Sequence, residues 1–139
     1  MRVIFQSFLV STIFFFTVAE PAQALSSKKL AALCESYVEN NFTGSSSSDY
    51  ACVSYFLGVI DTSNTACTIL GIRESTASDD YTKLQLRLSK NSLGSVASNA
   101  DVDKIIKDFL TWFKQNPTLS NLPPTVGTKD WLTAKWGCN

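Results

Sequence analysis

The stretch CVSYFLGVIDTSNTAC, residues 52–67, decides how the chain is read. Cys52, Tyr55, Phe56, Val59 and Ile60 recur at spacings of three and four, the pattern of one apolar stripe on an amphipathic helix. Asp49 stands ahead of the stripe as a candidate cap, and Asp61, Ser63 and Asn64 weaken the helix toward its end. A cysteine sits at each end of the segment. If the helix is continuous, their separation of fifteen residues, at about 1.5 Å each, holds them roughly 22 Å apart. A disulfide needs Cα atoms within about 7 Å, so Cys52 and Cys67 do not pair with each other.

Whether the cysteines are oxidised depends on the compartment, and the N-terminus points to export. Arg2 gives a short positive start, Val3 to Ala19 is a largely apolar run, and Ala22, Gln23 and Ala24 form an A-x-A cleavage site after Pro21. Residues 1–24 therefore read as a secretory signal peptide, leaving a single domain over residues 25–139. The run is short for a membrane anchor, which needs about 20 apolar residues. Leu33 precedes Cys34 where a lipoprotein would want a small residue, so no lipid anchor is expected there. An exported small domain with four cysteines and no C-x-x-C pair carries two structural disulfides. The pairings left open are Cys34–Cys52 with Cys67–Cys138, and Cys34–Cys67 with Cys52–Cys138. The first is preferred, because it staples two helices across a serine-rich turn and ties the C-terminus back to the end of the second helix.

Outward from this segment the chain reads as mainly α. Leu30, Leu33, Cys34, Tyr37 and Val38 share one face of a helix over 28–41, capped by Ser26 or Ser27. Gly44 and the serines at 45–48 form a polar turn. The clearest helix follows Asp101, with Val102, Ile105, Ile106, Phe109, Leu110, Trp112 and Phe113 in register until Asn116 and Pro117. A connector with Pro123, Pro124 and Gly127 leads to a last helix capped by Thr128 and bearing Trp131, Leu132, Ala134 and Trp136. Residues 71–100 are polar, and Leu84, Leu86 and Leu88 alternate there as in a short strand or hairpin. The expected architecture is a small four-helix, disulfide-stapled domain with a polar insertion between helices two and three.

Composition removes several classes of function. Lys plus Arg equals Asp plus Glu at twelve each, so no positive field gathers nucleic acid or an anionic membrane surface. There is no histidine, which removes Ser/His/Asp and Cys/His mechanisms and His-bearing zinc sites. No metal or cofactor site is expected. Paired carboxylates are the remaining catalytic candidates: Asp79 with Asp80, Asp101 with Asp103, and Glu35 with Glu39. Each has a plainer role as loop solvation, helix-end charge or solvated face, so no enzyme is expected. Trp112, Phe113, Trp131 and Trp136 read as core rather than as a sugar-stacking platform, with Trp112 displaced toward the edge of its stripe. Gly58, alone inside a helix, is expected to admit close packing of a neighbouring helix. Asn41, Phe42 and Thr43 form a glycosylation sequon that matters only in a eukaryotic source.

CVSYFLGVID at 52–61, the following Cys67, the helix ending DFLTWFKQNP at 108–117 and the closing Trp136, Gly137, Cys138 together resemble the Rap1a/Tai family, in order over most of residues 30–138. Members are small exported immunity proteins of Gram-negative bacteria. The resemblance implies a periplasmic α-helical protein, often a homodimer, that binds and blocks a cognate toxin of the type VI secretion system, typically a peptidoglycan amidase. On it, Cys34, Cys52, Cys67 and Cys138 match the family's disulfide cysteines, and Tyr55, Gly58 and Asp61 its helix-two signature. Residues 71–100 are longer than the family's usual connection, and residues 71–93 are the expected contact surface for the toxin, acting by steric occlusion of its active site. The alternative is a chaperone-like or envelope stress protein, separable by client aggregation assays.

Overall fold

The structure is a computed structural model that describes residues 25–97 and 99–138. Residues 1–24, read above as a signal peptide, lie outside the described residues. The chain forms α1 (Ser27–Glu39), α2 (Ser47–Thr76), α3 (Asp80–Lys90), α4 (Val102–Gln115), a 3-10 turn (Pro117–Leu119) and α5 (Pro124–Lys135). The mainly α expectation holds, with five helices among the described residues where four were expected. No helix among the described residues is long and apolar enough to cross a membrane.

The fifth helix is α3, which replaces the expected strand over Lys83 to Ser89. Lys, Leu, Gln and Arg are strong helix formers and the segment lacks the β-branched residues a strand favours. Asp79 caps it, its side chain accepting the Thr82 backbone N–H at 2.7 Å. The three leucines therefore do not share a face: Leu86 turns toward α2 and is half-buried, while Leu84 and Leu88 point out.

α2 runs 30 residues, without a break at Asp61, Ser63 and Asn64. Those polar residues are tolerated because they find partners outside the helix ladder or in water. Asn64 Nδ2 donates to the Val96 carbonyl at 2.9 Å and its Oδ1 accepts the Val96 N–H at 2.9 Å. The cap of α2 is Ser46 rather than Asp49; the two form a capping box in which Asp49 occupies the third position. Asp49 is fully buried, and its carboxylate accepts from Ser36 Oγ, Asn40 Nδ2 and the backbone N–H groups of Ser45 and Ser46 at 3.0–3.3 Å. Burial pushes its pKa up, but these hydrogen bonds outweigh that and hold it below the usual value.

α5 begins at Pro124, not at Thr128. Proline is preorganised for the first helical turn, and Thr128 instead lies buried inside the helix, donating to the Pro124 carbonyl at 2.8 Å. Trp136 caps the C-terminus of α5 and is not part of it.

The core forms where α2, α4 and α5 meet α1. Phe56, Phe109 and Trp131 are fully buried, and their ring centroids lie 5.0–5.9 Å apart, in the range where aromatic pairs add to area burial. Trp136 packs edge-on against Trp131 at 5.0 Å, and Trp112 is half-buried at the margin. Cys34 is bonded to Cys52 and Cys67 to Cys138, with Cα separations of 5.1 and 5.6 Å. Beside the second bridge, Ser95 N–H donates to the Trp136 carbonyl at 2.7 Å and Cys138 N–H to the Leu93 carbonyl at 3.2 Å. Gly94 makes that approach feasible, since a Cβ there would lie 2.5 Å from the Leu132 carbonyl.

Candidate functional site

Of the carboxylates considered for catalysis, Glu39 is exposed at the end of α1 and the other five have structural contacts. Asp79 and Asp101 are helix caps. Asp103 accepts the Tyr37 hydroxyl at 2.8 Å, Glu35 pairs with Lys114 at 3.2 Å, and Asp80 lies 3.9 Å from Lys83. Burial, reinforced by the bond to Asp103, raises the Tyr37 hydroxyl to about 12. The sequon residue Asn41 stands exposed on the turn between α1 and α2, in a left-handed conformation with φ 53°.

The helix-two signature is divided by the fold. Tyr55 is half-buried and its hydroxyl lies 3.2 Å from Thr128 Oγ1, joining α2 to α5; burial raises its pKa, partly offset by that bond. Asp61 is exposed on another side of α2. Gly58 does not admit a neighbouring helix: a Cβ at this position would have nothing within 4 Å. It borders an open groove of about 520 Å³ between α2 and α5, lined also by Val59, Thr62, Leu93, Lys129 and Leu132. A glycine inside a helix is less stable than alanine by roughly 0.5–1 kcal/mol, and packing among the described residues does not account for it.

The largest concentration of uncovered apolar surface lies on the arm formed by the C-terminal part of α2 and by α3. Ile69 and Ile72 are 46% and 59% exposed; Tyr81, Leu84 and Leu88 are 72%, 54% and 60% exposed. Helical geometry makes each set coherent, since residues three and four apart lie on one face. The two sets lie on the outer sides of the two helices, away from the Glu74 contacts that join them, and clustered apolar exposure of this kind makes the arm a candidate interaction surface.

The arm is held firmly although α3 packs chiefly against α2. Glu74 on α2 accepts from Arg87 and from Lys90, the latter at 3.2 Å, and these bonds hold its carboxyl below the usual range. At the base, the Cys67–Cys138 bridge and the Asn64–Val96 pair fix α2 to the segments that flank α4 and α5. Of the exposed apolar residues, Ile72, Tyr81, Leu84 and Leu88 fall within the 71–93 surface expected from sequence. Ile69 falls outside it, and the 69/72 spacing on an extended α2 is the signal that identifies it.

Residues 26–138 match the family model described as Rap1a immunity proteins. No curated protein and no solved structure matches the chain.

Proposed function

The chain belongs to the Rap1a immunity protein family, and from that membership we propose that it is a periplasmic inhibitor of one cognate toxin delivered by type VI secretion. The toxin class proposed is a peptidoglycan amidase. The protein reaches the periplasm through cleavage after Ala24 and acts by binding, with no chemistry of its own. The arm of α2 and α3 covers the toxin's active site and denies it to substrate.

The observation that carries this reading is the clustered exposure of Ile69 and Ile72 on α2 and of Tyr81, Leu84 and Leu88 on α3, on a braced two-helix arm. A preorganised surface loses little conformational freedom on association, so a modest contact area suffices for tight binding. The balanced charge leaves apolar complementarity as the main driving force.

The test uses a purified type VI peptidoglycan amidase effector recovered from periplasmic extracts and secreted effectors by pull-down on the oxidised domain, with binding measured by calorimetry and inhibition by hydrolysis of peptidoglycan. Burying one leucine contributes about 1.5–3 kcal/mol, so Leu84→Asp with Leu88→Asp weakens binding on the order of a hundredfold or more. Both positions are exposed, so thermal unfolding stays near that of the wild type. Full inhibition by this double variant would remove the arm from the mechanism. Sedimentation of the same samples reads the competing occupancy, a homodimer formed through this face.

A further inference from the structure

We infer that the groove between α2 and α5 is a second docking element, which seats a segment of the toxin bearing an apolar side chain beside a carboxylate. The inference rests on the inhibitor reading and extends its contact surface beyond the arm.

Three observations lead there. Gly58, Thr62, Thr65, Ile69 and Ile72 are spaced by four, three, four and three, and every one is exposed. They form a single uncovered stripe about 21 Å long on one face of α2, so the groove is continuous with the Ile69 and Ile72 part of the arm. A partner lying on Ile69 and Ile72 is led along this stripe to Gly58.

The second observation is the empty space over Gly58, where a Cβ would meet nothing within 4 Å. A helix-weakening residue that meets no neighbour among the described residues has no role in their packing, and its effect is to deepen the groove. The third is the chemistry of the lining. Leu93 and Leu132 supply apolar walls, the Tyr55 hydroxyl is already engaged with Thr128, and Lys129 is the lining's single charged residue. Lys129 forms no ion pair among the described residues. An apolar cleft with one cation at its rim complements an apolar side chain next to a carboxylate.

Gly58→Leu fills the groove without touching the arm, and in a helix interior the replacement favours folding. The expected result is a folded, oxidised protein with a Tm equal to or above the wild type and affinity for the purified amidase effector reduced about tenfold or more. Gly58→Ala gives a smaller loss in the same direction and covers the case in which leucine disturbs folding. Lys129→Glu weakens binding and Lys129→Arg preserves it. Wild-type affinity in Gly58→Leu and Lys129→Glu would overturn the groove while leaving the arm intact. A change from dimer to monomer in Gly58→Leu with effector affinity unchanged would overturn it in favour of a second copy of this chain. Failure of the wild type to bind the effector would instead defeat the inhibitor reading, and the groove's role with it.

Discussion

Replacing Cys67 and Cys138 by alanine tests whether the arm's rigidity comes from its covalent base. The bridge spans 71 residues, against 18 for Cys34–Cys52. Cross-linking restricts the unfolded chain by an amount that grows with the logarithm of loop length. For the longer loop this amounts to about 4 kcal/mol at 25 °C, and for the shorter one to about 3 kcal/mol. A small domain has a total stability of roughly 5–15 kcal/mol, so either loss is large, and the longer bridge matters more. Urea unfolding of Cys67→Ala/Cys138→Ala and of Cys34→Ala/Cys52→Ala, read by far-UV circular dichroism, measures both losses. Hydrogen exchange adds the local part: with the longer bridge gone, protection falls first over 68–93, because Asn64 and the pairing around Gly94 are then the main hold on the base of the arm. A loss under about 1 kcal/mol with unchanged exchange in the arm would refute the argument. So would a clearly larger loss from the shorter bridge, which would mean that native-state packing outweighs chain entropy.

Gly94→Ala pushes a methyl group into the Leu132 backbone at 2.5 Å; overpacking of this kind costs about 1–3 kcal/mol, seen as a lower urea midpoint at unchanged slope. Phe56→Ala removes the ring that touches both Phe109 and Trp131 and lowers stability by about 3–5 kcal/mol, measurable by calorimetry. The pH profile of unfolding has two limbs with assignable residues. Asp49 has a folded pKa below its ordinary 3.8, so its contribution is present above that value and is lost as pH falls through the lower folded pKa; Asp49→Asn flattens this acid limb. Tyr37 is raised from 10.0 to about 12, so its contribution is complete below pH 10.0 and fades between 10.0 and about 12; Tyr37→Phe removes that alkaline loss.

Legibility followed the range of the interaction involved. The α4 stripe from Val102 to Phe113 was readable because helix periodicity repeats within a few residues, and Ile105, Ile106, Phe109, Leu110 and Phe113 are buried as that spacing requires. Two-residue spacing misled at Leu84, Leu86 and Leu88, where the helix-forming residues between the leucines and the cap at Asp79 carried more weight than alternation. The polar residues at 61–64 suggested a helix end, but Asn64 is satisfied by Val96, which is 32 residues away in sequence. Gly58 was expected to pack against a helix, and no local rule distinguishes a glycine that admits a neighbour from one that leaves a space open.

By itself the sequence determined a mainly α chain, the positions of its strongest stripes and the exclusion of a bridge within α2, because helical rise and side-chain period are fixed by the backbone and do not depend on distant contacts. Only the tertiary structure decided which apolar faces remain uncovered. Leu86 and Leu88 differ in no local property; they differ because α2 covers one side of α3 and nothing in the described chain covers the other. Burial is set by which element arrives at a face, and that depends on the whole chain. The arm and the groove are surfaces of this second kind, and they carry the proposed function.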